Sequence, residues 1–372
     1  MDPIIKELTE EDNYLRFKIT GVNVSIINAL RRIILSEIET FVFRTTPYEE
    51  NKVNFEINTT RLNNELLKQR ISCIPIHIND MDFPAEDYVV ELDVINNSDT
   101  IIYVTSQDFK IKNIKVDKYL SIEETQKIFP PDSISGYFID ITRLRPKISD
   151  EIGGEQLKLT ATLSKGTAKQ NSSFNVVSTC SYGATVDDVK RNEVWTKKLK
   201  ELKAAGEKDI ESIKQDWNLL EGKRYIKENS FDFVIESIGQ MPNMLIVSKG
   251  AEVMLEKLRA FLEVIQTQEN VIIPTNTTIP HSYDILLEGE DYTLGKVIEY
   301  VLYTKHYNNN PGSSNLLTYC GFRKPHPHID KSYIRLGFTS ATTPTDIIGL
   351  LANSLSDIRN IFLKILSEFK DE

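Results

Sequence analysis

The chain has 372 residues, 40% of them hydrophobic and 26% charged, with a formal net charge of −10. That size and balance suit a soluble globular protein of two or three domains with a large buried core. The acidic excess argues against a chain whose main task is to grip a phosphate backbone through clustered lysine and arginine. No apolar run approaches the ~20 residues of a membrane-spanning helix, and the first residues lack the basic start and apolar stretch of a signal peptide. Three scattered cysteines, Cys73, Cys180 and Cys320, argue for a reducing compartment and against a disulfide framework.

Residues 14–19 alternate and predict a strand, which Thr20 and Gly21 turn into a helix over 22–39. In that helix Ile27, Leu30, Ile34 and Ile38 recur at helical spacing, and Ile26 and Ile33 widen the apolar face. Ser25, Asn28, Arg32 and Ser36 leave only a narrow polar stripe, with Arg31 to one side of it. Two readings stand for the adjacent arginines: they snorkel to water from a core helix, or they reach two neighbouring surfaces. An extended segment at 41–44 and a boundary at 45–50 follow.

From 52 to 171 the pattern is β-rich, with strands predicted at 53–57, 88–94, 101–105, 138–142 and 157–163 between polar turns. One clear helix is predicted, at 62–70, followed by a turn that Pro75 fixes between Ile74 and Ile76. Residues 183–229 are densely charged and read as a helical insertion anchored locally by Trp195 and Trp217. It is either a solvated face or a docking element.

A strand over 231–237 runs into a Gly/Pro turn and a long helix, in which Val247, Ala251, Met254, Leu258, Phe261 and Ile265 form a heptad-like seam. The prolines of 271–280 predict an extended linker. After it the plan repeats: a strand at 283–288, a helix through Leu294, Val297, Ile298, Val301 and Leu302, a strand at 333–338, and a last helix opened by Thr343 and Pro344. That helix carries Ile347, Leu351, Leu355, Ile358, Phe362, Ile365 and Phe369.

The economical way to cover these apolar helices is to pack the two copies on each other about a pseudo-two-fold axis. The predicted interface takes Ile27, Leu30 and Ile34 from the first helix and Met254, Leu258, Phe261 and Ile265 from the second. The repeat supplies Leu294, Val297, Ile298 and Val301, then Leu355, Ile358, Phe362 and Ile365. No catalytic residue is predicted, because no phosphate loop, H-E-x-x-H, nucleophile elbow or D-x-D-x-D cluster is present.

The segment N-A-L-R-R-I-I-L-S-E-I-E from Asn28 resembles the first helix of the alpha-like subunits of multisubunit DNA-dependent RNA polymerases. That family includes the bacterial alpha amino-terminal domain and the third-largest subunit of eukaryotic RNA polymerase II. The R-x-x-x-I-P-I run from Arg70 and the stretch F-x-x-E-S-I-G-Q-M-P before the long helix are similar to motifs of the same family. In the second copy E-D-Y-T-L-G and G-F-R-K-P-H-P resemble the eleventh subunit of RNA polymerase II and its archaeal counterpart, with Tyr292 in place of the usual histidine.

The resemblance implies an α+β fold: two alpha-like dimerisation domains fused in one chain, with a β-rich insert at 49–173 in the first. The first domain then spans 1–48 and 174–270, and the second 281–372. The implied function is a non-catalytic assembly platform, with two large catalytic subunits docking at Arg31, Arg32 and Glu37. Small zinc-bearing subunits are expected at Arg70, Ile74, Pro75 and Ile76. Nucleic acid is touched only through the complex, and no membrane contact, homo-oligomer or cofactor is expected.

Many eukaryotic relatives carry a four-cysteine zinc loop in the insert; here Cys73 stands alone there. Cys320, His326 and His328 fall one ligand short of a closed site, so the 324–328 turn is read as rigid, presenting Lys324 and His326 to a neighbour. The implied location is intracellular: the nucleus or, since fused subunits suggest a large DNA virus, a cytoplasmic viral factory or the virion. The rival reading is a coiled-coil adaptor unrelated to transcription.

Overall fold

The computed structural model describes every residue except 148, 150–152, 308–309 and 371–372. In chain order, β1 (Ile4–Glu11) and β2 (Tyr14–Thr20) precede α1 (Val24–Ser36) and β3 (Thr40–Val42). Then come β4 (Val53–Asn58), α2 (Asn64–Ser72), β5 (Tyr88–Ile95), β6 (Ile102–Thr105), β7 (Lys110–Asn113), β8 (Lys118–Tyr119), α3 (Ile122–Ile128), β9 (Asp140–Leu144), β10 (Gln156–Thr162) and β11 (Ser164–Gly166). The chain continues through β12 (Val177–Val186), α4 (Asp188–Ala204), α5 (Ile210–Leu219), β13 (Ile226–Ser237) and α6 (Asn243–Thr267). It ends with β14 (Ile272–Pro274), β15 (Ser282–Glu288), α7 (Tyr292–His306), β16 (Leu317–Arg323), β17 (Lys331–Phe338) and α8 (Pro344–Phe369). These elements form two compact units, one of residues 1–34, 179–236 and 243–372, the other of 35–178 and 237–242.

The first unit holds two four-stranded sheets with the same plan. Their orders are β1-β2-β13-β12 and β14-β15-β17-β16, so in each the strand before the first helix lies beside the strand before the long helix. The correspondence reaches single residues. Gly21 and Gly289, with φ of 78° and 69°, make the left-handed turn into α1 and α7. Two residues later Asn23 and Asp291 accept the backbone N–H of Ser25 (3.0 Å) and Thr293 (2.8 Å), capping the helices alike.

The long helices α6 and α8 lie against each other. Every predicted interface residue from Ile27 to Ile365 is buried. Phe17 of β2 stacks on Phe233 of β13 at 5.1 Å and meets Phe369 of α8 edge-on at 4.9 Å, so the first copy's sheet is sealed by the second copy's last helix. Gly250 of α6 lets that helix sit close to α1, since a Cβ there would lie 2.8 Å from a side-chain carbon of Ile34.

The second unit is built on the antiparallel sheet β4-β10-β5-β7-β8, with the two-stranded ribbons β6–β9 and β3–β11 beside it. Its core gathers Phe41, Phe43, Leu67, Ile71, Val90 and Leu157 among others.

Several boundaries differ from those read in the sequence. Helix α1 runs from Val24 to Ser36, not 22–39, because Asn23 caps it and the chain must straighten at Thr40 to pair with β11. β1 has no apolar alternation, being an exposed edge strand with a register shift between Lys6 and Thr9. The insert holds a second helix, α3, whose Ser121–Glu124 capping box was its signal. The linker expected at 271–280 is partly structure, since Ile272–Pro274 adds an edge strand to β15. The charged insertion folds as α4 and α5, and Trp195 and Trp217 are buried, their rings 5.2 Å apart.

Leu258 is only 3% exposed in the seam of α6. Leu258→Asp is expected to cost more than about 3 kcal/mol, since it buries a carboxylate without a partner. A large fall in the thermal unfolding midpoint is the expected result; an unchanged midpoint would contradict the packing.

Candidate assembly site

The site expected to carry assembly is the arginine-bearing side of α1. Ile26, Ile27, Ala29, Leu30, Ile33 and Ile34 are buried, which leaves Asn28, Arg31 and Arg32 half-buried at the helix margin. The two arginines have separate tasks. Arg31 folds back along its own helix, its Nε and Nη2 donating to Asn28 Oδ1 at 3.1 and 3.0 Å. Arg32 reaches the second copy. Its Nη2 donates to Asp291 Oδ2 at 2.7 Å and its Nε to Thr293 Oγ1 at 2.8 Å.

Asp291 is the N-cap of α7, so one carboxylate both caps a helix and receives a guanidinium. A negative charge at that end is favoured by the helix dipole. Beside it, Lys257 of α6 donates to both carboxylate oxygens of Glu290 at 2.8 and 3.0 Å, with both side chains largely buried. Two cations of the first copy are thus fixed on the residues that lead into the second copy's helix. Arg32, expected to face a large subunit together with Arg31, is bonded here to the start of α7. Glu37 follows α1 in the other unit and is half-buried.

The counterpart of Arg31 in α7 is Glu299, by the register set through Gly21/Gly289 and Asn23/Asp291. It pairs with Lys296 at 2.5 Å and accepts the backbone N–H of Phe322 at 3.1 Å. The corresponding strands carry matching thiols. Cys180 directs its Sγ at the carbonyl of Arg31 (3.9 Å), and Cys320 directs its Sγ at the carbonyl of Glu299 (3.6 Å). Burial pushes both thiols up to about 12.

The other predicted contacts fall differently. Arg70 donates through Nε to the Ile141 carbonyl and through Nη2 to the Asp140 carbonyl, both at 2.7 Å, and so ties α2 to β9. Ile74 and Ile76 are 4% and 1% exposed and belong to the core of the second unit; they cannot present a surface to a small subunit. Pro75 between them is half-buried. The turn after β16 is exposed, with Lys324 Nζ donating to the Ile329 carbonyl (2.9 Å) and the His328 N–H donating to His326 Nδ1 (3.2 Å). Among the described residues no three His, Cys, Asp or Glu side chains group as a metal site would need, and no helix is long and apolar enough to cross a membrane.

The sequence family described as the RNA polymerase Rpb3/Rpb11 dimerisation domain matches residues 16–258, a span from β2 into α6. The chain is 23% identical over 305 residues to DNA-directed RNA polymerases IV and V subunit 3B of Arabidopsis thaliana, covering 69% of this chain and 90% of that one. It is 22% identical over 304 residues to human DNA-directed RNA polymerases I and III subunit RPAC1, covering 68% and 82%. It is 26% identical over 284 residues to DNA-directed RNA polymerase subunit Rpo3 of Pyrococcus horikoshii, covering 70% and 97%.

Two predictions follow from this geometry. In a double-mutant cycle, Arg32→Ala and Asp291→Ala should each destabilise the chain by about 1–2 kcal/mol, with a coupling of about 1 kcal/mol; additive losses in denaturant unfolding would show that the pair does not hold the copies together. An alkylating reagent near neutral pH should label exposed Cys73 in the folded chain, and Cys180 and Cys320 only in denaturant. Equal labelling of all three by mass spectrometry would contradict the burial of Cys180 and the shielding of half-buried Cys320.

Proposed function

Since the chain belongs to the RNA polymerase Rpb3/Rpb11 dimerisation-domain family, we propose that it serves as the assembly platform of a DNA-directed RNA polymerase and supplies both alpha-like partners itself. As a member of that family it is an RNA polymerase subunit and not itself the catalyst. The observation that supports the finer reading is the internal repeat: α7 and α8 pack against α6, and the N-terminus of α7 receives Arg32 of α1, as a separate partner chain would. Joining the partners raises their effective concentration to the millimolar range or above and removes any dependence on a second chain.

The platform has two unequal ends. Where the first copy carries Arg31, the second carries Glu299, already satisfied by Lys296 and Phe322. Only the first copy therefore offers a guanidinium at this position, and Arg31 is the residue proposed to meet a large catalytic subunit, through charge-assisted bonds to carboxylates or carbonyls. Glu37, which follows α1, is proposed as a further contact, and His326 with Lys324 on the exposed turn as another. Small zinc-bearing subunits complete the proposed set of partners, and DNA and RNA are reached only through the assembled enzyme. The fused arrangement further suggests a viral polymerase, acting in a cytoplasmic factory or virion where it does not act in the nucleus.

Purification of tagged Arg31→Glu chain from cells that make the polymerase tests the platform. The variant should fold, because Arg31 bonds only to Asn28 among the described residues, yet lose the two large subunits recovered with the unaltered chain. Recovery of both large subunits at the normal level would remove Arg31 from the contact.

A further inference from the structure

We propose that the outward face of the β6–β9 ribbon is a docking groove for an acidic protein segment bearing an apolar anchor. The ribbon pairs Tyr103 with Arg143, and its side chains alternate between two faces. Val104 and Leu144 point into the core and are fully buried. Tyr103 and the neighbouring Ile101 face outward, 59% and 52% exposed. With Arg61 and Leu62 at the entry to α2 they line a groove of about 580 Å³.

The charges of the groove are unbalanced. Arg61, Arg70, Arg143 and Arg145 line it against Asp140 and Glu155, a local excess of two positive charges in a chain of net charge −10. Glu155 is engaged by Arg145 at 2.5 Å. Arg70 is bonded to carbonyls, which hold it in place without neutralising it. Arg61 and Arg143 are exposed and make no hydrogen bond or ion pair among the described residues.

A tyrosine and two uncommitted arginines around an aliphatic floor match the residue types that dominate binding energy at protein interfaces. Single-stranded nucleic acid fits less well: it is gripped by successive aromatic platforms, whereas the groove offers one tyrosine beside aliphatic Ile101 and Leu62. A carboxylate-rich peptide would pair with Arg61 and Arg143 and seat one apolar side chain against Tyr103. This inference rests on the groove alone and holds whatever complex the chain joins.

Selection from a random peptide display library against the full chain tests it, with fluorescence anisotropy on the peptides recovered. The expected peptides are acidic with an aliphatic or aromatic anchor. Their affinity should fall about tenfold or more, as for a hot-spot contact, in the Arg61→Glu/Arg143→Glu variant and separately in Tyr103→Ala. Both variants alter exposed side chains, and circular dichroism should report an unchanged fold; if one fails to fold, the other carries the test. Recovery of neutral or basic peptides, acidic peptides indifferent to both variants, or tighter binding of oligouridylate that the same substitutions abolish would each overturn the proposal.

Discussion

The seams of α6 and α8 set the terms for the rest of the pairing unit. Each is a helix of 25 or 26 residues with an apolar stripe along its length, and each follows a four-stranded sheet too small to hide it. Burying such stripes is worth roughly 25 cal/mol per Å² of apolar surface, and exposing them in water would invite association. The two copies resolve this by covering one another. Phe369 of α8 meets Phe17, which stacks in turn on Phe233 of the first sheet. The constraint also explains Gly250, where a side chain would hold α6 away from α1.

Apolar packing does not by itself fix register, and polar contacts at its margin do that work. Arg32 binds the residue that caps α7, and Lys257 binds its neighbour Glu290, so the first turn of α7 is tied to α1 and α6 at two adjacent points. A slide of one helical turn would leave half-buried charges unpaired, which is costly. Cys180 and Cys320, each behind the same turn of its own first helix, mark how closely the repeats correspond. Arg31 and Glu299 mark where they part, and that difference gives two similar halves distinct faces.

The apolar seams of the long helices and the N-terminus of the last helix were legible in the sequence because helical period and a Thr-Pro start are local signals. The family was legible from short runs such as the one around Arg31. Arg32's engagement was not, because its partner lies 259 positions away. The motif at Arg70 to Ile76 pointed to a contact, but a motif does not say which side chains face outward, and burial places both isoleucines inside. The edge strands β1 and β14 escaped notice because exposed edges need no apolar alternation. The β6–β9 groove joins residues from 61 to 155, a juxtaposition that only the folded chain makes.

The central claim is that one copy of this chain does the work of two alpha-like partners. The mass of the intact polymerase, measured by native mass spectrometry after purification through a tag on this chain, tests it most directly. The account predicts a single copy per enzyme and no separate small alpha-like subunit. Two copies, or a further alpha-like chain seated beside α1 and α6, would contradict it.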